Sequence, residues 1–101
     1  MRMLMIVRLP NDGFNPAVKE GTAGTRTKAI LEDLKPEAVY FTEIDGKRTV
    51  VAIVDMESPS KTPALAEPWY LTFNAEVELH VVMSEEDLAK AGLEDLGKKW
   101  A

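Results

Sequence analysis

Cysteine is absent from this chain of 101 residues, and that absence excludes disulfide bonds, thiolate metal ligands and a cysteine nucleophile. It is compatible with a reducing compartment, and we expect a cytoplasmic protein. His80 is the only histidine, so one chain cannot supply a histidine cluster, and no metal site is expected. No apolar run approaches the roughly 20 residues that cross a bilayer, so no membrane partner is expected.

Positive charge is also scarce. The 12 lysines and arginines are scattered and are outnumbered by 17 acidic residues, which gives a formal net charge of -5. Nucleic acid requires a clustered basic surface, which this sequence lacks. With 46% hydrophobic and 29% charged residues, the composition is that of a globular protein. The length predicts a single domain over residues 1–101.

Four apolar or alternating stretches predict β-strands: Met3–Leu9, Ala38–Ile44, Lys47–Met56 and Ala75–Met83. The second and third flank Asp45-Gly46, a dipeptide typical of a two-residue hairpin turn. Such a turn fixes which residues lie opposite each other. The predicted pairs are Tyr40 with Val51, Phe41 with Val50, Thr42 with Thr49, and Glu43 with Arg48.

A first helix is predicted from Asn15, an N-cap residue before a proline, to Leu34. Gly21 and Gly24 weaken its start, so its firm part is expected only from about Thr25. This helix connects the first two predicted strands.

A second helix is predicted to begin at Thr62, and Pro68 is expected to kink or divide it because proline lacks the amide hydrogen that a helix uses. After the fourth strand, Ser84 and Asp87 have the spacing of a capping box, which predicts a short C-terminal helix with a weak point at Gly92.

This order predicts an α+β fold, a ferredoxin-like βαββαβ antiparallel sheet with a short C-terminal helix. The first and third strands occupy its centre, and both long helices cover one face. The predicted core residues on that face are Val39, Phe41, Val50, Ala52, Val54, Val77, Leu79, Val81 and Met83. The two central strands are also apolar on the other face, through Leu4, Ile6, Val51 and Ile53. We expect a second subunit to cover them, and the alternatives are the terminal helix or another partner.

A resemblance to a known family covers nearly the whole chain. It rests on residues 14–43, FNPAVKEGTAGTRTKAILEDLKPEAVYFTE, and residues 45–92, DGKRTVVAIVDMESPSKTPALAEPWYLTFNAEVELHVVMSEEDLAKAG. These resemble a family of small stand-alone bacterial proteins of unknown function. More broadly, the domain resembles the dimeric α/β-barrel superfamily, which includes cofactor-independent monooxygenases, muconolactone-isomerase-like proteins, chlorite dismutases and dye-decolourising peroxidases. The resemblance implies a homodimer with small ligands between sheet and helices, and it carries over no catalytic residue.

The candidate chemistry gathers on the face away from the helices. His80 shares that face with Glu78, and Arg8 ends the first strand beside them, with Tyr40 and Thr42 also expected nearby. This group could bind a polar small molecule or move a proton, because histidine titrates near neutral pH. The simpler interpretation, which we favour, is a set of ion pairs and hydrogen bonds at a dimer interface.

Two further groups have a functional and a structural interpretation. Trp69, with Tyr70 and Phe73, could line a ligand pocket between the second helix and the sheet, although aromatic residues at this spacing usually belong to a core. Across a two-fold axis, the side chains of Glu76, Glu78 and His80 from two subunits could bind a cation, although solvated charges on an edge strand are the simpler interpretation.

The expected function is therefore a homodimer that binds a small organic molecule or a partner without catalysis, and no cofactor is expected. The alternative is a cofactor-independent monooxygenase or isomerase of the dimeric α/β-barrel type, in which His80 or Tyr40 moves a proton. A haem site with His80 as axial ligand ranks last, because the chain is short for one.

Overall fold

The computed structural model describes residues 1–101 and contains four strands and five α-helices. In chain order they are β1 (Arg2–Leu9), α1 (Asn11–Glu20), α2 (Ala23–Leu34), β2 (Ala38–Ile44), β3 (Lys47–Asp55), α3 (Thr62–Phe73), β4 (Glu76–Val81), α4 (Glu85–Ala89) and α5 (Leu93–Lys99). A single 3₁₀ turn, Pro59–Lys61, leads into α3.

The four strands form one antiparallel sheet in the order β2-β3-β1-β4, so β1 and β3 are central as predicted. All four predicted pairs of the β2–β3 hairpin are confirmed. Asp45 and Gly46 both have positive φ, 54° and 74°, the backbone that a two-residue hairpin turn requires. This α+β architecture is compatible with the predicted ferredoxin-like fold.

The core lies between one face of the sheet and the helices α1, α2 and α3. It is built from alternate residues of the central strands and from the inner sides of α1 and α3; its largest fully buried side chains include Trp69, Phe73, Met5, Val7 and Val50. Three predicted core residues are instead largely exposed, namely Phe41, Val81 and Met83. They lie on the edge strands or just beyond β4, where no helix extends far enough to cover them.

The predicted first helix is in fact two helices. Helix α1 begins at Asn11, four residues before the predicted start, and ends at Gly21, whose φ of 77° lets its amide bond back to the carbonyls of Ala17 and Val18. Gly21 is therefore a helix stop rather than a weak helix interior.

Gly13 sets how closely α1 approaches α3. A methyl group at this position would collide with the carbonyl oxygen of Phe73 and lie 3.1 Å from Pro10 Cγ. The approach lets the rings of Phe14 and Phe73 pack with their centroids 4.8 Å apart.

Pro68 does not divide α3, and this part of the prediction is wrong. An interior proline removes one helical hydrogen bond and crowds the carbonyl four residues before it, but its fixed φ is a helical value, so packing can hold the helix together. Buried Leu65 before it and buried Trp69 and Phe73 after it hold both halves of α3 against the sheet.

The C-terminal helix is also divided, at Gly92, which has a φ of 73°. The predicted capping box is confirmed: the Asp87 amide donates to Ser84 Oγ at 3.1 Å, and the Ser84 amide donates to Asp87 Oδ2 at 3.0 Å. Neither α4 nor α5 makes an extensive contact with a strand or another helix.

We call residues 84–101 the C-terminal arm. It leaves the body of the domain, which makes the molecule 59 Å long with a radius of gyration of 16.9 Å, against about 13 Å for a compact chain of this size. The arm carries four exposed apolar side chains, Leu88, Leu93, Leu96 and Trp100. A capping box begins α4, whereas α5 has no side-chain cap, and the arm does not fold over the sheet.

Candidate functional site

The sheet face away from the helices, which we call the open face, carries the predicted site residues in three cross-strand rows. Read from β2 to β4, the rows are Ala38, Ile53, Leu4 and His80; then Tyr40, Val51, Ile6 and Glu78; then Thr42, Thr49, Arg8 and Glu76. The four central apolar side chains are only half-buried, by their neighbours in the sheet. The face is thus an apolar strip between two polar edges.

The structure brings Arg8, Glu78 and His80 together at one edge. Arg8 Nη1 lies 3.1 Å from Glu78 Oε1, and His80 Nε2 lies 3.5 Å from Glu78 Oε2. Hydrogen bonds from Arg8 first, and from His80 second, hold the pKa of Glu78 below its usual value. A carboxylate held ionised by two partners is a weak proton acceptor, so this cluster has the character of an ion-pair network.

The other predicted site residues lie elsewhere. Tyr40 and Thr42 share the open face but lie on β2, three strand spacings or roughly 14 Å from β4. Trp69 is fully buried beneath α3 on the opposite face, where its Nε1 has no hydrogen-bond partner. No cluster of three or more His, Cys, Asp or Glu side chains in the chain is arranged to hold a metal ion.

The largest cavity lies on the helix side, between α2 and the β2 edge of the sheet. It has a volume of about 490 Å³ and adjoins a second cavity of about 420 Å³; Phe14, Thr27 and Phe41 line both. We call the two together the α2–β2 groove. The first cavity is also lined by Ala23, Gly24, Lys28, Leu31 and Glu32. The second is also lined by Leu9, Thr42, Glu43, Arg48 and Thr49.

Small residues on α2 explain why the groove is open. Ala23, Gly24 and Thr27 offer little bulk toward β2, and a side chain at Gly24 would meet nothing within 4 Å. Across from them, Phe41 is 62% exposed because β2 is an edge strand with no neighbour beyond it. Of the predicted site residues only Thr42 lines this groove, and sequence reasoning missed the others; the available signal was the run of small residues facing an edge-strand aromatic.

Arg48 is the best-positioned charged group of the groove. Its guanidinium carbon lies 5.1 Å from the centre of the Phe14 ring, and its Nη1 donates to Asn15 Oδ1 at 2.8 Å. Glu43 is its cross-strand neighbour, yet no carboxylate oxygen lies within 4.0 Å of Arg48. The groove therefore has an apolar end near α2 and a cationic group at the strand end.

No protein-family model matches the chain, and no curated protein is significantly similar to it. The helices of the structure are all too short or too polar to traverse a bilayer.

Proposed function

We propose that this protein is a homodimer of the dimeric α/β-barrel type that binds a small organic molecule in the α2–β2 groove without catalysing a reaction. The observation that carries the proposal is the groove itself. Its larger cavity, about 490 Å³, has the size of a small-molecule site, and Phe14, Leu31 and Phe41 give it apolar walls. A few polar groups at one end could orient a ligand, as in other small-molecule sites.

Binding is favoured over catalysis because the candidate proton-transfer groups are not at the groove. His80 and Tyr40 both lie on the open face. At the groove, Lys28 and Glu32 form an exposed ion pair at 4.0 Å, and no nucleophile is seated beside a base. The monooxygenase or isomerase alternative would need such a group in reach of the ligand.

The homodimer is proposed because the open face has no cover in one chain. Four strands of about seven residues give a face of roughly 20 by 25 Å, or about 500 Å² per subunit. Two such faces would bury about 1,000 Å², the lower limit for a specific interface. The apolar side chains of the C-terminal arm would add to this area if the arm lies against the partner subunit, as we propose.

Light scattering tests the dimer. The wild-type protein is expected at twice the chain mass of 11.2 kDa at micromolar concentration. The variant Ile53→Lys, which puts a charge in the apolar strip of the open face, is expected at the single-chain mass. Its matched control is Leu71→Lys, at an 81% exposed position of α3, which should leave the dimer intact. A single-chain mass for the wild type would refute the dimer.

A groove-filling variant tests ligand binding. Gly24→Leu places a side chain in the free space of the groove. The matched control is Gly97→Leu, which places a side chain in free space in the C-terminal arm, away from the groove. The uncharged fluorescent probe phenylnaphthylamine should bind the wild type and Gly97→Leu equally well. It should bind Gly24→Leu at least tenfold more weakly. Native mass spectrometry of the purified protein would then identify co-purifying small molecules. Equal probe binding by all three proteins would place the probe elsewhere and refute the groove as the site.

A further inference from the structure

We infer that the α2–β2 groove is selective for a singly charged organic acid, with Arg48 binding its carboxylate and the apolar end holding its hydrocarbon part. This inference rests on the proposed binding function and adds the chemical class of the ligand.

Arg48 is positioned before any ligand arrives. The guanidinium stacks near Phe14, with 5.1 Å between its carbon and the ring centre, and one nitrogen is fixed by Asn15 Oδ1 at 2.8 Å. Phe14 is itself buried in the core, so the platform under the guanidinium is rigid. An arginine that is already ordered loses less side-chain entropy when it binds a carboxylate.

Arg48 also retains free hydrogen-bonding capacity. A guanidinium has five N–H donors, and Arg48 uses one of them on an uncharged amide oxygen. No carboxylate lies within ion-pair distance, although Arg2 and Arg8 each have one. A half-buried arginine beside an apolar cavity, with donors to spare, is suited to bidentate binding of a carboxylate.

The other charges at the groove limit the ligand to one negative charge. Lys28, the second cation, is already within 4.0 Å of Glu32. Glu43 lies opposite Arg48 on β2 and lines the same cavity, so it would repel a dianion such as a phosphate monoester. One unpaired arginine near one carboxylate matches a monocarboxylate. The apolar body would extend toward Leu31 and Phe41.

Displacement of phenylnaphthylamine tests the inference with two matched competitors, decanoate and decanol, which share a hydrocarbon chain and differ in charge. Arg48→Gln is expected to weaken the binding of decanoate about tenfold and to change the binding of decanol less than twofold. Arg48→Lys keeps the positive charge but lacks the planar guanidinium, so its affinity for decanoate should lie between that of the wild type and that of Arg48→Gln. Lys47→Gln removes the same charge from the neighbouring position of β3, and it should leave both competitors unchanged.

Glu43→Gln provides a test in the opposite direction, because removal of the repelling carboxylate should strengthen decanoate binding and leave decanol unchanged. The failures are distinguishable. If phenylnaphthylamine binding is unaffected by Gly24→Leu, the proposed function fails. Suppose instead that the probe binds in the groove, but Arg48→Gln weakens the binding of both competitors equally or of neither. The selectivity for an acid is then refuted, while the binding function stands.

Discussion

The close approach of α1 to α3 makes Gly13→Ala the sharpest test of the packing. The added methyl group would collide with the Phe73 carbonyl oxygen, which belongs to the backbone of α3 and cannot swing aside as a side chain would. Inserting a methyl group into a filled space costs roughly 1–3 kcal/mol, and a rigid obstacle favours the upper end. Replacing a helical glycine by alanine recovers up to about 1 kcal/mol. We therefore expect a net loss of about 2 kcal/mol in the free energy of unfolding.

Gly24→Ala is the matched control, since Gly24 is also helical but a methyl group there would meet nothing within 4 Å. It should gain up to about 1 kcal/mol from helix propensity alone. In a domain of this size, 1 kcal/mol shifts the melting temperature by roughly 4–8 °C. Gly13→Ala should thus melt roughly 8–16 °C below the wild type, and Gly24→Ala a few degrees above it.

Far-UV circular dichroism during heating measures both variants, at one protein concentration because dimerisation would make the melting temperature concentration-dependent. Urea unfolding at 25 °C provides a second measurement of the same difference. If Gly13→Ala is at least as stable as the wild type, the helices α1 and α3 are not as close as described, and the packing of Phe14 on Phe73 must be reconsidered.

Three further substitutions test local features. Glu78→Gln should flatten the acid side of the stability-versus-pH curve, because Arg8 lowers the folded-state pKa of Glu78. The stabilising contribution of Glu78 is therefore present above its unfolded-state pKa and is lost as pH falls through the lowered folded-state pKa. An unchanged curve would contradict this. Ser84→Ala removes the hydrogen bond from the Asp87 amide to Ser84 and should destabilise α4 by about 1 kcal/mol. Hydrogen exchange should then become faster in the arm alone. Faster exchange in the whole chain would contradict an independent arm. Pro68→Ala should raise the free energy of unfolding by at least about 1 kcal/mol by restoring a helical amide, and a loss would mean that the proline ring contributes to packing.

Local patterns predicted the strands and the hairpin, and the ferredoxin-like motif predicted the order of the strands in the sheet. The Asp45-Gly46 turn fixed the hairpin register because only a few turn types join two strands through two residues. Antiparallel order then predicted that Arg8 would lie beside Glu76 and near Glu78, as it does. These are properties of neighbouring strands, in which the pairing of one residue determines the pairing of all the others.

The helices and the groove could not be predicted in the same way. The sequence alone does not show whether Gly21 ends a helix or only weakens the interior of one. The two cases differ in the backbone angle φ of Gly21, which is set in the folded chain. The alternation of β2 correctly placed Phe41 on the helix side. Whether a helix reaches far enough to bury it depends on how α2 lies across the sheet, and small residues such as Ala23 leave that distance open.

The C-terminal arm has a consequence for how the folded state responds to dilution. Its helices contain five and seven residues, and isolated helices this short are marginal in water even when they are well capped. Their exposed leucines and Trp100 make no extensive contact within the chain, and the homodimer proposed above would supply the missing support. The helical content of the arm should then rise and fall with protein concentration, which would make the last 18 residues an intrinsic reporter of assembly.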